Sequence, residues 1–283
     1  MATPFDSFPI RPGPGRSPRR GEVPVRAFLF DTYGTVCDFY RPLSRAFAAF
    51  AQARGETCDA GRLANEWRGA YVRSTFLHAL TGQDFRPLED LHRENLAPIL
   101  VANFARPASG AEIDALVAAW NRLDPWPDAV PGLLELKEIA PVAPLSNGNF
   151  RDMIALARHA GLPWDAIAGS SIGRAYKPHP DIYRKSIEAF GLRPEEACMV
   201  AAHQADLFYA AGHGMQTAFV TRPDEFGGTV KPSQPKPGVD YLSAAEIHPE
   251  GEWTFFATDF LDLAAQAKSA VSSPTFAGAS GSE

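Results

Sequence analysis

Arg26-Ala-Phe-Leu-Phe-Asp31-Thr-Tyr-Gly-Thr35 runs four apolar residues into a carboxylate, with a glycine three positions beyond it. An unbroken apolar run closed by turn residues predicts a strand buried on both faces, as a parallel sheet requires. Glycine permits a tight turn that brings backbone N–H groups toward the Asp31 carboxylate. In open parallel sheets ligands gather at the carboxyl ends of strands, so Asp31 is a candidate nucleophile. The same position equally suits a helix cap or a turn acid.

Working outward, apolar runs at 142–145, 166–168, 198–202 and 217–220 alternate with helical patterns. That alternation predicts an α/β fold, a parallel sheet flanked by helices. Residues 41–121 depart from it and read as helices only. Leu43, Phe47, Phe50 and Ala51 fall at helical spacing, as do Leu63, Trp67, Tyr71 and Thr75. A helical subdomain is therefore expected to interrupt the core. The proline-dense Asp124-Pro-Trp-Pro-Asp-Ala-Val-Pro-Gly132 is expected to be a non-helical return linker. The core then continues past Gly227-Gly228 and a proline-rich stretch to about 238, closing with a helix over 260–267. The expected organisation is a core of 24–40 and 124–268, a helical insertion of 41–123, and disordered tails at 1–23 and 269–283.

The whole chain narrows the function classes. Its 283 residues are 45% hydrophobic and 21% charged, enough for one large domain or two small ones. A formal net charge of −6 supplies no basic field for DNA or RNA, so nucleic-acid partners are not expected. No run of about 18 apolar residues occurs, and no membrane partner is expected. Arg19-Arg20 is followed by no apolar segment of the kind an export signal carries. Cys37, Cys58 and Cys198 are scattered, without zinc or disulfide spacing, and suit a reducing cytoplasm.

Three further strand ends carry polar groups. Ser146-Asn147-Gly-Asn149 places a hydroxyl and an amide ahead of a helix starting near Arg151, a suitable cradle for a small anion or an ordinary N-cap. Lys177-Pro-His-Pro180 holds a lysine in a stiffened loop, with Tyr183 beyond; a solvated lysine fits as well. Met199-Val-Ala-Ala-His203-Gln-Ala-Asp206 runs a strand into a turn whose Asp206 could activate water, hold the lysine, or cap a helix.

Asp, Ser/Asn, Lys and Asp at successive strand ends resemble the haloacid dehalogenase superfamily. Asp31-Thr-Tyr-Gly-Thr35, Leu145-Ser-Asn-Gly148 and Tyr176-Lys-Pro178 are similar to its type II L-2-haloacid dehalogenases, and the likeness spans roughly residues 25–268. The resemblance implies a Rossmann-like core with an inserted helical cap. It implies hydrolysis of small 2-haloacids to 2-hydroxyacids and halide through an aspartyl ester, without metal or cofactor, by a homodimer. Phosphatases of the superfamily carry a second Asp where Tyr33 stands and a magnesium-binding acid where Ala202 stands. Neither proton donor nor magnesium ligand is needed to release halide.

By the same resemblance Asp31 is the nucleophile, Thr35 and Lys177 hold it, Tyr183 braces the lysine, and Asp206 positions Lys177 and water. Arg68 and Asn147 are expected to contact halide. Ser146, with backbone N–H groups near Thr35, is expected to take the substrate carboxylate, and Tyr33 stands with the substrate-contacting residues. The type II pattern Ser-Ser-Asn-x-aromatic-Asp is altered here to Ala201-Ala-His203-Gln-Ala205-Asp206. His203 is expected to narrow the pocket, contact halide or assist water, and a smaller pocket would admit fluoroacetate. Azetidine-2-carboxylate ring opening, phosphate-ester hydrolysis and non-catalytic anion binding are the alternatives.

Overall fold

A computed structural model of the chain describes residues 17–228 and 252–271. Its first strand, β1 (Ala27–Phe30), is wholly buried. Phe28 and Phe30 enter one apolar cluster and Ala27 and Leu29 the other, because successive strand side chains point to opposite faces. A two-residue strand, β2 (Cys37–Asp38), then leads into α1 (Tyr40–Ala53), α2 (Ala60–Thr81), α3 (Leu88–Asn103) and α4 (Gly110–Val117). A 3-10 turn (Ala118–Arg122) returns the chain to β3 (Asp124–Pro125), which pairs antiparallel with β2. Between these strands the chain is helical, and its buried Phe47, Trp67, Leu96 and Trp120 are continuous with the core cluster around Phe28.

The remainder alternates: α5 (Ala129–Lys137), β4 (Val142–Ser146), α6 (Phe150–Ala160), β5 (Ala168–Gly169), α7 (Ser170–Gly173), α8 (Pro180–Ala189), β6 (Ala197–Ala201), α9 (Gln204–Gly212), β7 (Gln216–Val220), β8 (Phe255–Ala257) and α10 (Phe260–Val271). The sheet order is β5-β4-β1-β6-β7-β8, all parallel. β1 lies between β4 and β6, so the strand order reverses beside it, and the crevice of a doubly wound sheet opens at such a switch point. α5, α6 and α10 cover one face and α8 and α9 the other. Among the described residues no helix is long and apolar enough to cross a membrane.

Four expectations about elements need correction. The linker 124–132 is helical from Ala129: Pro131 sits in the first turn of α5, where a missing N–H has no helical acceptor to lose. β8 and the β2–β3 pair had not been expected; β8 has only three residues and the pair two each. Residues 17–23 are not a free tail. Ser17 is buried with its hydroxyl 3.0 Å from that of Thr217, and the Pro18 carbonyl accepts from Thr254 Oγ1 at 2.8 Å. The closing helix runs to Val271, past both the expected end at 267 and the start of the expected tail at 269. Residues 1–16, most of the stretch leading to 238, and 272–283 lie outside the described residues.

Candidate active site

Asp31 leaves the end of β1 with its N–H donating to the Val200 carbonyl of β6 at 2.9 Å. Gly34 has φ +92°, a left-handed conformation that glycine adopts without strain, and a Cβ there would lie 2.0 Å from Glu225 Oε1. The turn folds Thr35 back on the nucleophile. Thr35 Oγ1 accepts from Ala202 N–H at 3.0 Å, which directs its own proton to Asp31 Oδ2 at 2.8 Å.

Asn147, beyond β4, accepts the Lys177 backbone N–H on Oδ1 at 2.8 Å and so seats the lysine loop. Lys177 Nζ donates to Asp31 Oδ1 at 3.1 Å and to Asp206 Oδ2. Tyr183 OH donates to Asp206 Oδ1 at 2.7 Å, so it reaches the lysine through Asp206. His203 completes the ring: Nδ1 is 3.0 Å from Asp31 Oδ2 and Nε2 is 2.8 Å from Glu225 Oε1.

The electrostatics follow from burial in this network. Burial alone would raise the Asp31 carboxyl, but Lys177 and the His203 and Thr35 donors outweigh it and hold the group well below the usual carboxylate range. Burial would lower Lys177, yet Asp206 and Asp31 keep its ammonium charged above the usual lysine value. Asp206 is pushed up by burial and by Asp31 against the pull of Lys177. Burial opposes the charge of His203, but Glu225 and Asp31 prevail and raise it to about 10.

Arg68 projects from α2. It is 6% exposed, and its guanidinium lies 5.4 Å from the Phe39 ring centroid and 5.0 Å from that of Tyr71. Among the described residues its Nε and Nη1 have no hydrogen-bond partner. Burial and the Arg68 charge push nearby His92 down to about 3, so that ring is neutral. A buried cation with free donors is costly unless an anion meets it.

These groups surround a cavity of about 90 Å³ lined by Asp31, Arg68, Asn147, Lys177, His203 and Asp206, with Tyr71, Tyr183 and Ala205 among its walls. Drug-sized ligands occupy several hundred Å³, so this volume suits a molecule of a few heavy atoms. Three expectations shift here. Ser146 does not line the cavity; its Oγ accepts from Gly148 N–H and shapes the turn. Tyr33 stands behind the wall, its ring edge-on to Tyr71 and Trp120, and makes no contact with the cavity. His203 lines the cavity, but both ring nitrogens are engaged by carboxylates and neither is left for a halide.

The sequence reading missed Glu225, which is fully buried. It follows β7 in Thr221-Arg-Pro-Asp-Glu225, a polar strand end of the kind that singled out Asp31, and that rule applied once more would have found it. Tyr71, marked only for its helical spacing, also lines the cavity. The residues present do not fit a divalent ion. The Lys177 ammonium bridges the two carboxylates, and Ala202 offers a backbone N–H where magnesium would need an oxygen.

Taken with this switch-point site, the match of residues 25–214 to the haloacid dehalogenase-like hydrolase family shows that the chain belongs to that family. Within it the chain is similar to L-2-haloacid dehalogenases. It is 32% identical to the (S)-2-haloacid dehalogenase of Xanthobacter autotrophicus over 70% of its own length and 76% of that protein. The crystal structure of a defluorinating L-2-haloacid dehalogenase is 40% identical, with TM-score 0.78 over 89% of this chain and 98% of that one. The L-2-haloacid dehalogenase of X. autotrophicus with chloropropionic acid covalently bound aligns over 86% of this chain and 98% of that one, at 27% identity and TM-score 0.69.

Proposed function

We propose that this protein hydrolyses small 2-haloacids to 2-hydroxyacids and halide through an ester on Asp31, without metal or cofactor. The observation that carries the reading is the Asp31 carboxylate, held ionised, lining one cavity of a few atoms with a buried arginine whose Nε and Nη1 are unsatisfied among the described residues. Asp31 Oδ2 accepts from both Thr35 and His203, whereas among the described residues Oδ1 meets only Lys177. Oδ1 is therefore the freer oxygen and attacks the halogen-bearing carbon from behind, and the carbon–halogen electron pair leaves as halide. Arg68 and Asn147 receive the halide, which needs no proton. Water then adds to the Asp31 carbonyl carbon, and cleavage to Oδ1 frees the 2-hydroxyacid and restores the carboxylate. Helices α1 to α4 act as the cap that closes over the substrate, excluding water until the ester has formed.

Fluoroacetate belongs to the proposed range, supported by the small cavity and by the likeness to a defluorinating relative. A homodimer and a cytoplasmic setting are part of the same reading. Exposed Phe150 and Ile154 on α6 offer apolar surface for the first, and three unpaired thiols suit the second.

The test is halide release from chloroacetate and from each enantiomer of 2-chloropropionate, with EDTA throughout. Turnover is expected in EDTA, and Asp31→Asn is expected to lower it by about a thousandfold or more, the scale of losing a catalytic nucleophile. Silence on all three substrates, or an active Asp31→Asn, removes the reading. Chloroacetate turnover without fluoride release from fluoroacetate removes only the extension to fluorine.

A further inference from the structure

The site contains a buried ion pair that the two half-reactions above do not yet use. We propose that His203, clamped by the buried Glu225 carboxylate, is the donor that stabilises the negative charge collecting on Asp31 Oδ2 when water adds to the ester. His203 is thus a catalytic residue of the second half-reaction, and Glu225 is its positioning residue. The inference rests on the dehalogenase reading and goes beyond it.

Geometry carries the assignment. A carboxylate only accepts hydrogen bonds, and the two ring nitrogens of His203 face two different carboxylates at 3.0 and 2.8 Å. Both nitrogens therefore carry hydrogen, and the ring is an imidazolium, in accord with its strongly raised basicity. Oδ1 forms the ester, so Oδ2 becomes its carbonyl oxygen, already met by the His203 Nδ1–H and the Thr35 hydroxyl. Addition of water to the carbonyl carbon sends the π pair onto Oδ2, where a preorganised charged donor and a neutral one await it. When the pair returns, the bond between the carbonyl carbon and Oδ1 breaks; the product alkoxide takes one proton of the added water, and the other passes to solvent as the new Asp31 carboxyl ionises. No external oxidant, reductant or metal enters the balance.

Glu225 is built into the fold for this contact. It is fully buried, and its carboxylate occupies the space that a side chain at position 34 would fill, so the left-handed Gly34 next to the nucleophile loop admits it. Among the described residues its Oε2 has no hydrogen-bond partner, and Oε1 meets His203, the contact that justifies burying this acid. The charged groups around His203 are Asp31 from β1, Glu225 beyond β7, Lys177 and Asp206 across Asp31, and Arg68 from α2 on the same cavity. Where the type II pattern carries asparagine, whose amide is a neutral donor, this chain carries a charged pair.

Single-turnover kinetics with 2-chloropropionate separate the steps: halide reports ester formation, and 2-hydroxyacid reports hydrolysis. In His203→Asn and Glu225→Gln, halide release is expected to slow less than hydrolysis does, because Lys177 and Thr35 still hold the Asp31 carboxylate. Hydrolysis is expected to slow about tenfold in His203→Asn, the difference between a charge-assisted and a neutral donor, so that the ester accumulates and adds mass to the intact protein. In Glu225→Gln the alkaline limb of the hydrolysis rate is expected to move to lower pH, which loss of packing alone would not produce. Equal slowing of both steps, or unchanged hydrolysis with an unmoved limb, overturns the assignment. Should a variant fail to fold, wild-type single turnovers carry the test, because hydrolysis must fall at lower alkaline pH than halide release; coincident limbs overturn it. Absence of halide release from the wild type would instead remove the dehalogenase reading itself.

Discussion

Arg68 shows how one residue separates stability from function. Its guanidinium is buried against Phe39 and Tyr71 with Nε and Nη1 unsatisfied, an arrangement that costs the folded protein free energy. Arg68→Met keeps the apolar stem and removes the charge, so stability measured by urea denaturation is expected to be unchanged or to rise by about 1 kcal/mol. The same variant is expected to lose about a hundredfold or more in kcat/KM for 2-chloropropionate. A variant that is both less stable and fully active would show that the arginine is structural. Gly34 illustrates a residue whose reason emerged only in three dimensions. The glycine was legible as a turn former, but the space it leaves is filled by a carboxylate 191 positions later in the chain.

Among the elements, the close approach of α5 to α10 depends on a glycine in the middle of a helix. A Cβ at Gly132 would lie 2.3 Å from Phe260 Cβ and 2.8 Å from the Phe260 carbonyl carbon, and a backbone atom cannot swing aside. Gly132→Ala is therefore expected to destabilise the fold by about 1–3 kcal/mol despite the better helix propensity of alanine, read as a lower urea midpoint. A neutral or stabilising result would mean that the two helices separate at little cost. The helix itself was hidden in the sequence, because Pro131 and Gly132 both argue against one. Proline breaks a helix only where its N–H is needed, and the first turn of α5 does not need it. β8 was hidden for the opposite reason: Phe255–Ala257 is too short to show a period, and Phe256 is exposed on the outer face.

For the molecule as a whole, the active-site charges set how stability responds to pH. His203 titrates at about 10 in the folded state against 6.5 unfolded, so its contribution is fully present below about pH 6.5 and is lost as pH rises through about 10. Lys177, also raised, acts in the same sense at higher pH. Asp31 has the opposite sign: its lowered value contributes above the usual carboxylate range and is lost on acidification, partly offset by the raised Asp206. Thermal denaturation is thus expected to show Tm falling between about pH 7 and 10, and His203→Asn is expected to flatten that fall. An identical slope in the variant would remove His203 from the alkaline stability of the protein.

The amino-acid sequence by itself determined the parallel α/β core, because strands buried on two faces leave unbroken apolar runs, and it determined the inserted helices, because one buried face leaves a 3.6-residue period. It also exposed Asp31, since a charged residue directly ending an apolar run is visible without coordinates, whereas Lys177, beyond α7, and Asp206, inside α9, were legible through the order of motifs and the family resemblance. Only the tertiary structure decided that Ser146 and Tyr33 stand off the cavity, that Tyr183 reaches the lysine through Asp206, and that His203 joins Asp31 to Glu225. Local periodicity records which face of an element is buried. It does not record which side chains from distant elements come within 3 Å, and the charge state and role of an active-site residue depend on those neighbours.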